Sequence, residues 1–207
     1  MNHAEIDRLI TRHRDLSVCR TDIESAAVLL RDALNGGGML LACGAGAAAS
    51  LAEHVVTTLM TAVSRARPVT DAMRRELEDR YGSPGADLAA GLQAALPAIA
   101  LSSNSSLVGA VAADMVLAQQ VYGYGRKGDA LVALCPEGAT ESVLNALRVA
   151  RALGVATVCL APRDTDALTD HSDCVIRVPR VTATEVTELH LPVWHALCVT
   201  LEQEFFI

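Results

Sequence analysis

The sequence predicts an α/β fold in which a parallel sheet of five strands is covered by helices on both faces. Two observations carry this. Short apolar runs alternate along the chain with longer segments of helical periodicity, the pattern of repeated strand–loop–helix units. The runs themselves, such as ALVAL at 130–134, lack polar alternation, as strands buried on both faces do.

The elements follow in order. Residues 4–19 read as a first helix, with Ile6, Leu9, Ile10 and His13 on one face. Thr21 or Asp22 caps a second helix over 23–35, and the NGGG run at 35–38 ends it. Strands are expected at 39–42, 98–101, 130–134, 157–160 and 174–178. Helices are expected at about 47–66, through 114–122, up to Leu153, and from about 184 to 206. One stretch breaks the rhythm. DAMRRELEDRY at 71–81 reads as a charged helix, capped by Thr70 or Asp71 and ended by GSPG, and 86–94 reads as a second short helix. Together they form an inserted surface hairpin within 68–96. The whole of 1–207 reads as one domain, opened by the N-terminal helices of 1–35.

Composition narrows the function. Hydrophobic residues make up 51% of the 207 but aromatics only 3%, so the core is built of Ala, Leu and Val. A net charge of -7 and a pI near 5.3 argue against a direct grip on nucleic acid or an anionic membrane. The charged opening MNHAEIDRLITRHRD predicts no secretory leader, and the apolar run at 36–52 is broken by glycines, so no membrane span is expected. Six cysteines, none at C-x-x-C spacing, read as buried reduced thiols of a cytoplasmic protein.

Four strings carry a resemblance: EHVVTTLM (53–60), LPAIALSSNSS (96–106), AADMVLAQQVYGYGRKGDALVAL (112–134) and TELHLPVWHALCVTLEQEFF (187–206). With them the chain resembles the sugar isomerase (SIS) family, and within it the phosphoheptose isomerases, from about residue 35 to 206. The resemblance implies a three-layer α/β/α sandwich, a tetramer with the N-terminal helices in an interface bundle, and an aldose–ketose shift of a phosphorylated sugar. That reaction needs a phosphate cradle and an acid and a base to move a proton between adjacent carbons.

Set against the family pattern, the chemical positions have changed. The family's S-T-S-G-N-S phosphate loop is here Cys135, Pro136, Glu137, Gly138, Ala139, Thr140, in which only Gly138 and the Thr140 hydroxyl fit. Pro136 removes a backbone N–H. Glu137 opposes an anion: at about 4 Å and an effective dielectric near 20, the repulsion would cost about 4 kcal/mol per charge pair. Glu137 and Glu141 would themselves meet the helix dipole. The sugar loop keeps Gly44 and Gly46 but has Ala45, Ala48 and Leu51 where the family has Asn, Ser and Asp. As a nucleotide fingerprint, Gly44, Gly46 and Ala49 lack an acidic ribose ligand downstream. The resemblance places the acid–base pair at Thr58, which stands for the family's Glu, and at His195, which is retained. Some relatives bind a divalent metal such as zinc through a quartet that here reads His54, Thr58, Thr187 and His195. Two imidazoles make a poor zinc set, and His54 and His195 read instead as partly buried, hydrogen-bonded histidines. His190 reads as a packing residue.

The expectation is a catalytically impaired SIS protein that acts as a binding or regulatory subunit, without a cofactor, in a tetramer with itself or with an active paralogue. The alternative is a diverged sugar-phosphate isomerase with His195 as base, its phosphate held by Ser103, Asn104 and Ser105 in SSNSS and by Thr140. A third reading puts a less anionic ligand against Ala45, Ala48, Leu51 and Cys135.

Overall fold

Five strands form one parallel sheet: β1 (Leu40–Gly44), β2 (Ala98–Ala100), β3 (Ala130–Leu134), β4 (Ala156–Pro162) and β5 (Cys174–Val178), in the order β2-β1-β3-β4-β5. The structure, a computed structural model, describes residues 3–102 and 104–206. The helices in chain order are α1 (Ala4–Arg12), α2 (Arg20–Asn35), α3 (Ala48–Met60), α4 (Asp71–Tyr81), α5 (Ser83–Gly91), α6 (Val116–Tyr124), α7 (Glu141–Leu153) and α8 (Ala183–Phe205).

Side chains alternate across a strand, and the two faces of the sheet bury separate cores. Leu40, Ala42, Val132, Leu134 and Leu160 pack with residues of α1, α2, α3 and α8. Leu41, Cys43, Leu131, Ala133 and Cys159 pack with residues of α6 and α7. The result is the three-layer sandwich expected. All six cysteines are free and buried. On the first layer, α1 and α2 lay Ile6, Leu9, Ile23, Ala27 and Leu30 into the core, and both contact α8 of the same chain. Among the described residues, no helix is long and apolar enough to cross a membrane.

Several boundaries differ from the sequence expectation. The first helix stops at Arg12. His13 is non-helical, and Arg14–Cys19 continues as a 3₁₀ turn that carries Leu16 and Cys19 into the core. Neither Thr21 nor Asp22 caps α2, which starts at Arg20 with Cys19 at the cap position and no side-chain bond there. The third helix ends at Met60 rather than near residue 66. Beyond it, the Val63 and Ser64 backbone N–H groups turn to the Glu202 carboxylate at 3.0 and 2.8 Å. The helix ending at Tyr124 starts at Val116, after a 3₁₀ turn at Ala113–Met115.

Two helices, α4 and α5, occupy the stretch between α3 and β2 where a helical pair was expected. The Thr70 hydroxyl accepts from the Met73 N–H, and α4 has no buried residue. The second helix starts three residues early, at Ser83, because Gly82 takes φ +60° and Pro84 sits in the first turn, where a proline is preorganised for a helix.

Candidate functional site

From β1 the chain builds β2 on one side and β3 on the other, so the strand order reverses between β1 and β3. In open α/β sheets, ligands bind at the carboxyl ends of the strands at such a point. A cleft lies there, lined by Ala45 after β1 and by Cys135, Pro136, Glu137 and Thr140 after β3.

Glycine makes both turns at this cleft. A Cβ on Gly44 would fall 2.5 Å from the Ala48 carbonyl oxygen, and Gly46 takes φ +57°. Gly138 takes φ +84°, and its N–H donates to the Cys135 carbonyl at 2.9 Å. The Thr140 hydroxyl accepts from the Val143 N–H at 3.4 Å and caps α7. The start of α7 is therefore self-capped as expected, but by Thr140 rather than by Glu137 or Glu141. Glu141 instead pairs with Arg148 at 2.6 Å. Glu137 is exposed. Water screens it, and the expected repulsion of about 4 kcal/mol drops toward the aqueous figure of about 1 kcal/mol.

The second part of the site lies between α3 and α8. His54 and His195 meet there, with Nε2 atoms 2.8 Å apart and rings inclined at 62°, so that one donates to the other. Burial, then the charges of His54 and Arg12, hold His195 below the ordinary imidazole range. One turn on from His54, Thr58 is buried and fully engaged. Its hydroxyl donates to the Val55 carbonyl at 2.8 Å and accepts from the Trp194 indole N–H at 2.8 Å.

The remaining expected residues are scattered. Thr187 is half-buried on α8. Asn104 accepts, through its backbone, from the Leu107 N–H at 3.2 Å. Ser105 opens the 3₁₀ turn Ser105–Leu107, and Ser103 lies outside the described residues. Ser102 is committed to the Ala49 carbonyl at 3.3 Å. The apolar lining expected of one pocket is divided: Ala45 and Cys135 line the cleft at α7, Leu51 lines a separate one beside His54, and Ala48 is buried.

The residues present do not fit the metal that the family resemblance implies. Among the described residues, no three His, Cys, Asp or Glu side chains are grouped so that they could hold a metal ion. His54 and His195 spend their facing nitrogens on each other, and Thr58 between them in the expected quartet is a neutral hydroxyl already bonded to Val55 and Trp194. A protein zinc site normally uses three or four ligands.

Sequence reasoning missed two participants, Trp194 and Arg12. Trp194 is the only tryptophan, and a buried indole N–H needs an acceptor, which was the available signal for its pairing with Thr58. The Arg12 charge on α1 helps lower the pKa of His195, a long-range effect no spacing rule foretells. His190 is indeed packed, at 1% exposure, but among the described residues neither ring nitrogen has a partner.

A five-stranded parallel sheet sandwiched by helices, with loops converging at the β1–β3 reversal, is the sugar isomerase (SIS) fold. It is shared with a phosphoheptose isomerase from Neisseria gonorrhoeae at TM-score 0.72, 22% identity, 97% of this chain and 96% of that one. No family model matches the chain. Curated relatives do: the phosphoheptose isomerase of Rhodospirillum rubrum is 31% identical over 191 residues, 90% of this chain and 88% of the relative. That of a Roseiflexus species is 34% identical over 174 residues, 82% of this chain and 75% of the relative. The chain belongs to the phosphoheptose isomerase family.

Proposed function

We propose that this chain is a family member that no longer isomerises phosphosugars and acts as a binding or regulatory subunit. The observation that carries the reading is the 2.8 Å bond from the Trp194 indole to the Thr58 hydroxyl. An aldose–ketose shift needs a group that takes a proton near neutral pH. A threonine hydroxyl does not, and this one is occupied by Trp194 and by backbone carbonyls. The Thr140 cap supports the same reading, because a hydroxyl bonded to its own helix is not free for a phosphate. Val18 and Val28, exposed on the N-terminal segments, suit assembly into a tetramer, with itself or with an active paralogue. A coupled assay with sedoheptulose 7-phosphate tests the reading: no turnover above the uncatalysed rate is expected, and clear saturable turnover would overturn it.

One observation favours a second reading, a diverged isomerase with His195 as base. Burial lowers the pKa of His195, and its Nε2 lies 2.8 Å from that of His54. In that case turnover exists and His195→Asn abolishes it.

A further inference from the structure

The helices α4 and α5 fall between residues 60 and 96, outside the four strings that carry the family resemblance. They pack on each other. Gly85 lies against the Leu77 backbone with no room for a side chain, and Ala89 is buried one turn further on. Neither helix makes a comparable contact with any other helix or strand, and α4 buries none of its residues. Isolated helices of 11 and 9 residues are too short to hold their form in water on propensity alone. A further surface against α4 supplies what the chain itself does not.

The charges of α4 indicate which surface fits. Asp71 pairs with Arg74 at 2.8 Å, and Glu76 pairs with Arg80 at 2.6 Å. Arg75 and Asp79 stand one turn apart and, among the described residues, have no ion-pair partner. With Ala72 and Gly82 they form an exposed stripe on the side of α4 away from Leu77. The stripe is self-complementary. Laid antiparallel on its twin at the level of Leu77, it sets Arg75 against the partner's Asp79 and Asp79 against the partner's Arg75. Ala72 then meets the partner's Gly82, and two small residues let the backbones close in. A polyanion finds no basic surface here, because α4 carries four acids against three arginines.

We propose that α4 is a two-fold contact between copies of this chain, held in register by two reciprocal Arg75–Asp79 pairs. Ion pairs exposed at a surface add little. At the centre of a helix contact they are shielded from water, where opposite charges fix the register and like charges expel a partner. The methylene stems of the arginines add apolar contact. One helix on its twin is a small interface, so the association depends on concentration. The inference goes beyond the non-catalytic reading and does not depend on it.

The test is sedimentation velocity on the full chain over a range of concentrations, with wild type, Arg75→Asp, Asp79→Arg and an equimolar mixture of the two variants. Both positions are exposed, and circular dichroism should show an unchanged fold. The wild type should reach at least double the particle mass of either variant alone, because each variant sets like charges against each other across the two-fold. The association step should weaken by about tenfold or more. Mixing the variants restores opposite charges at both positions, so the mixture should regain the wild-type mass. That rescue also shows that neither variant is misfolded. Wild type that does not associate, a single variant that associates like wild type, or a mixture no heavier than its components would each overturn the proposal. Turnover of sedoheptulose 7-phosphate would sink the non-catalytic reading and leave this result untouched.

Discussion

The indole N–H of Trp194 donates to the Thr58 hydroxyl at 2.8 Å, joining α8 to α3 where the family resemblance implies a catalytic carboxylate. The bond makes Thr58 a packing residue with a definite energetic role. Thr58→Val keeps the shape and removes the acceptor, leaving a buried indole N–H unmet. Urea unfolding followed by the fluorescence of Trp194 should show a loss of about 1–3 kcal/mol with an unchanged slope. A neutral result would mean that the indole has another acceptor.

His190 should make the fold sensitive to mild acid. Burial lowers its pKa from 6.5 to about 4. Between those values the unfolded chain binds the proton that the folded chain refuses, so stability rises with pH across this window and levels off above it. The loss from pH 7 to pH 5 should be about 2 kcal/mol from this group. In His190→Leu the dependence between pH 5 and 7 should flatten, as measured by urea midpoints at the two pH values. A slope that persists in the variant assigns the effect elsewhere.

Much of the fold was legible because its signals are local. The bounds of β3 and β5 and the Thr70 cap follow from apolar runs and capping chemistry within a few residues. The loops after β1 and β3 were also legible, since the family resemblance and the glycines at Gly44 and Gly138 pointed to them; that they meet at a strand-order reversal is seen only in the fold. What could not be read depends on partners distant in sequence. The end of α3 at Met60 is set by Glu202, 138 residues from Ser64. The state of Thr58 is set by Trp194, 136 residues away. The charge of Glu137 was correctly located, but its effect hinged on exposure, which a sequence does not carry.

The same Glu202 anchors a prediction outside the cleft. Its carboxylate accepts from Val63 N–H, Ser64 N–H, the Ser64 hydroxyl and Arg67 Nε, the last at 2.7 Å, and both side chains of the ion pair are fully buried. Burial alone would raise its pKa, but the bonds from Ser64, Val63 and Arg67 outweigh burial and hold it below the usual carboxylate range. A depressed carboxylate stabilises the fold above its unfolded pKa and loses that contribution as pH falls below about 4.5. Arg67→Met leaves the charge buried without its partner and should cost about 3–5 kcal/mol. Hydrogen exchange at the Val63 and Ser64 amides should speed up in the variant, locating the loss in the segment after α3.

Gly44 and Gly46 stand two residues apart in the loop after β1 and should respond to substitution for different reasons. At Gly44 the obstacle is contact: an added Cβ would meet the Ala48 carbonyl oxygen at 2.5 Å and the Ala48 Cβ at 2.8 Å. Relief requires α3 to move away from β1, and α3 carries His54 and Thr58. At Gly46 nothing lies within 4 Å, and the obstacle is φ +57° alone, a left-handed conformation that asparagine tolerates better than alanine. Gly46→Asn should therefore cost less than about 1 kcal/mol and leave α3 in place. Gly44→Ala should cost several times more and disturb the His54–His195 pair, read as a change in the His195 titration by NMR. Equal costs for the two, or an undisturbed His195 in Gly44→Ala, would show that the approach of strand to helix at this point is looser than the 2.5 Å contact implies.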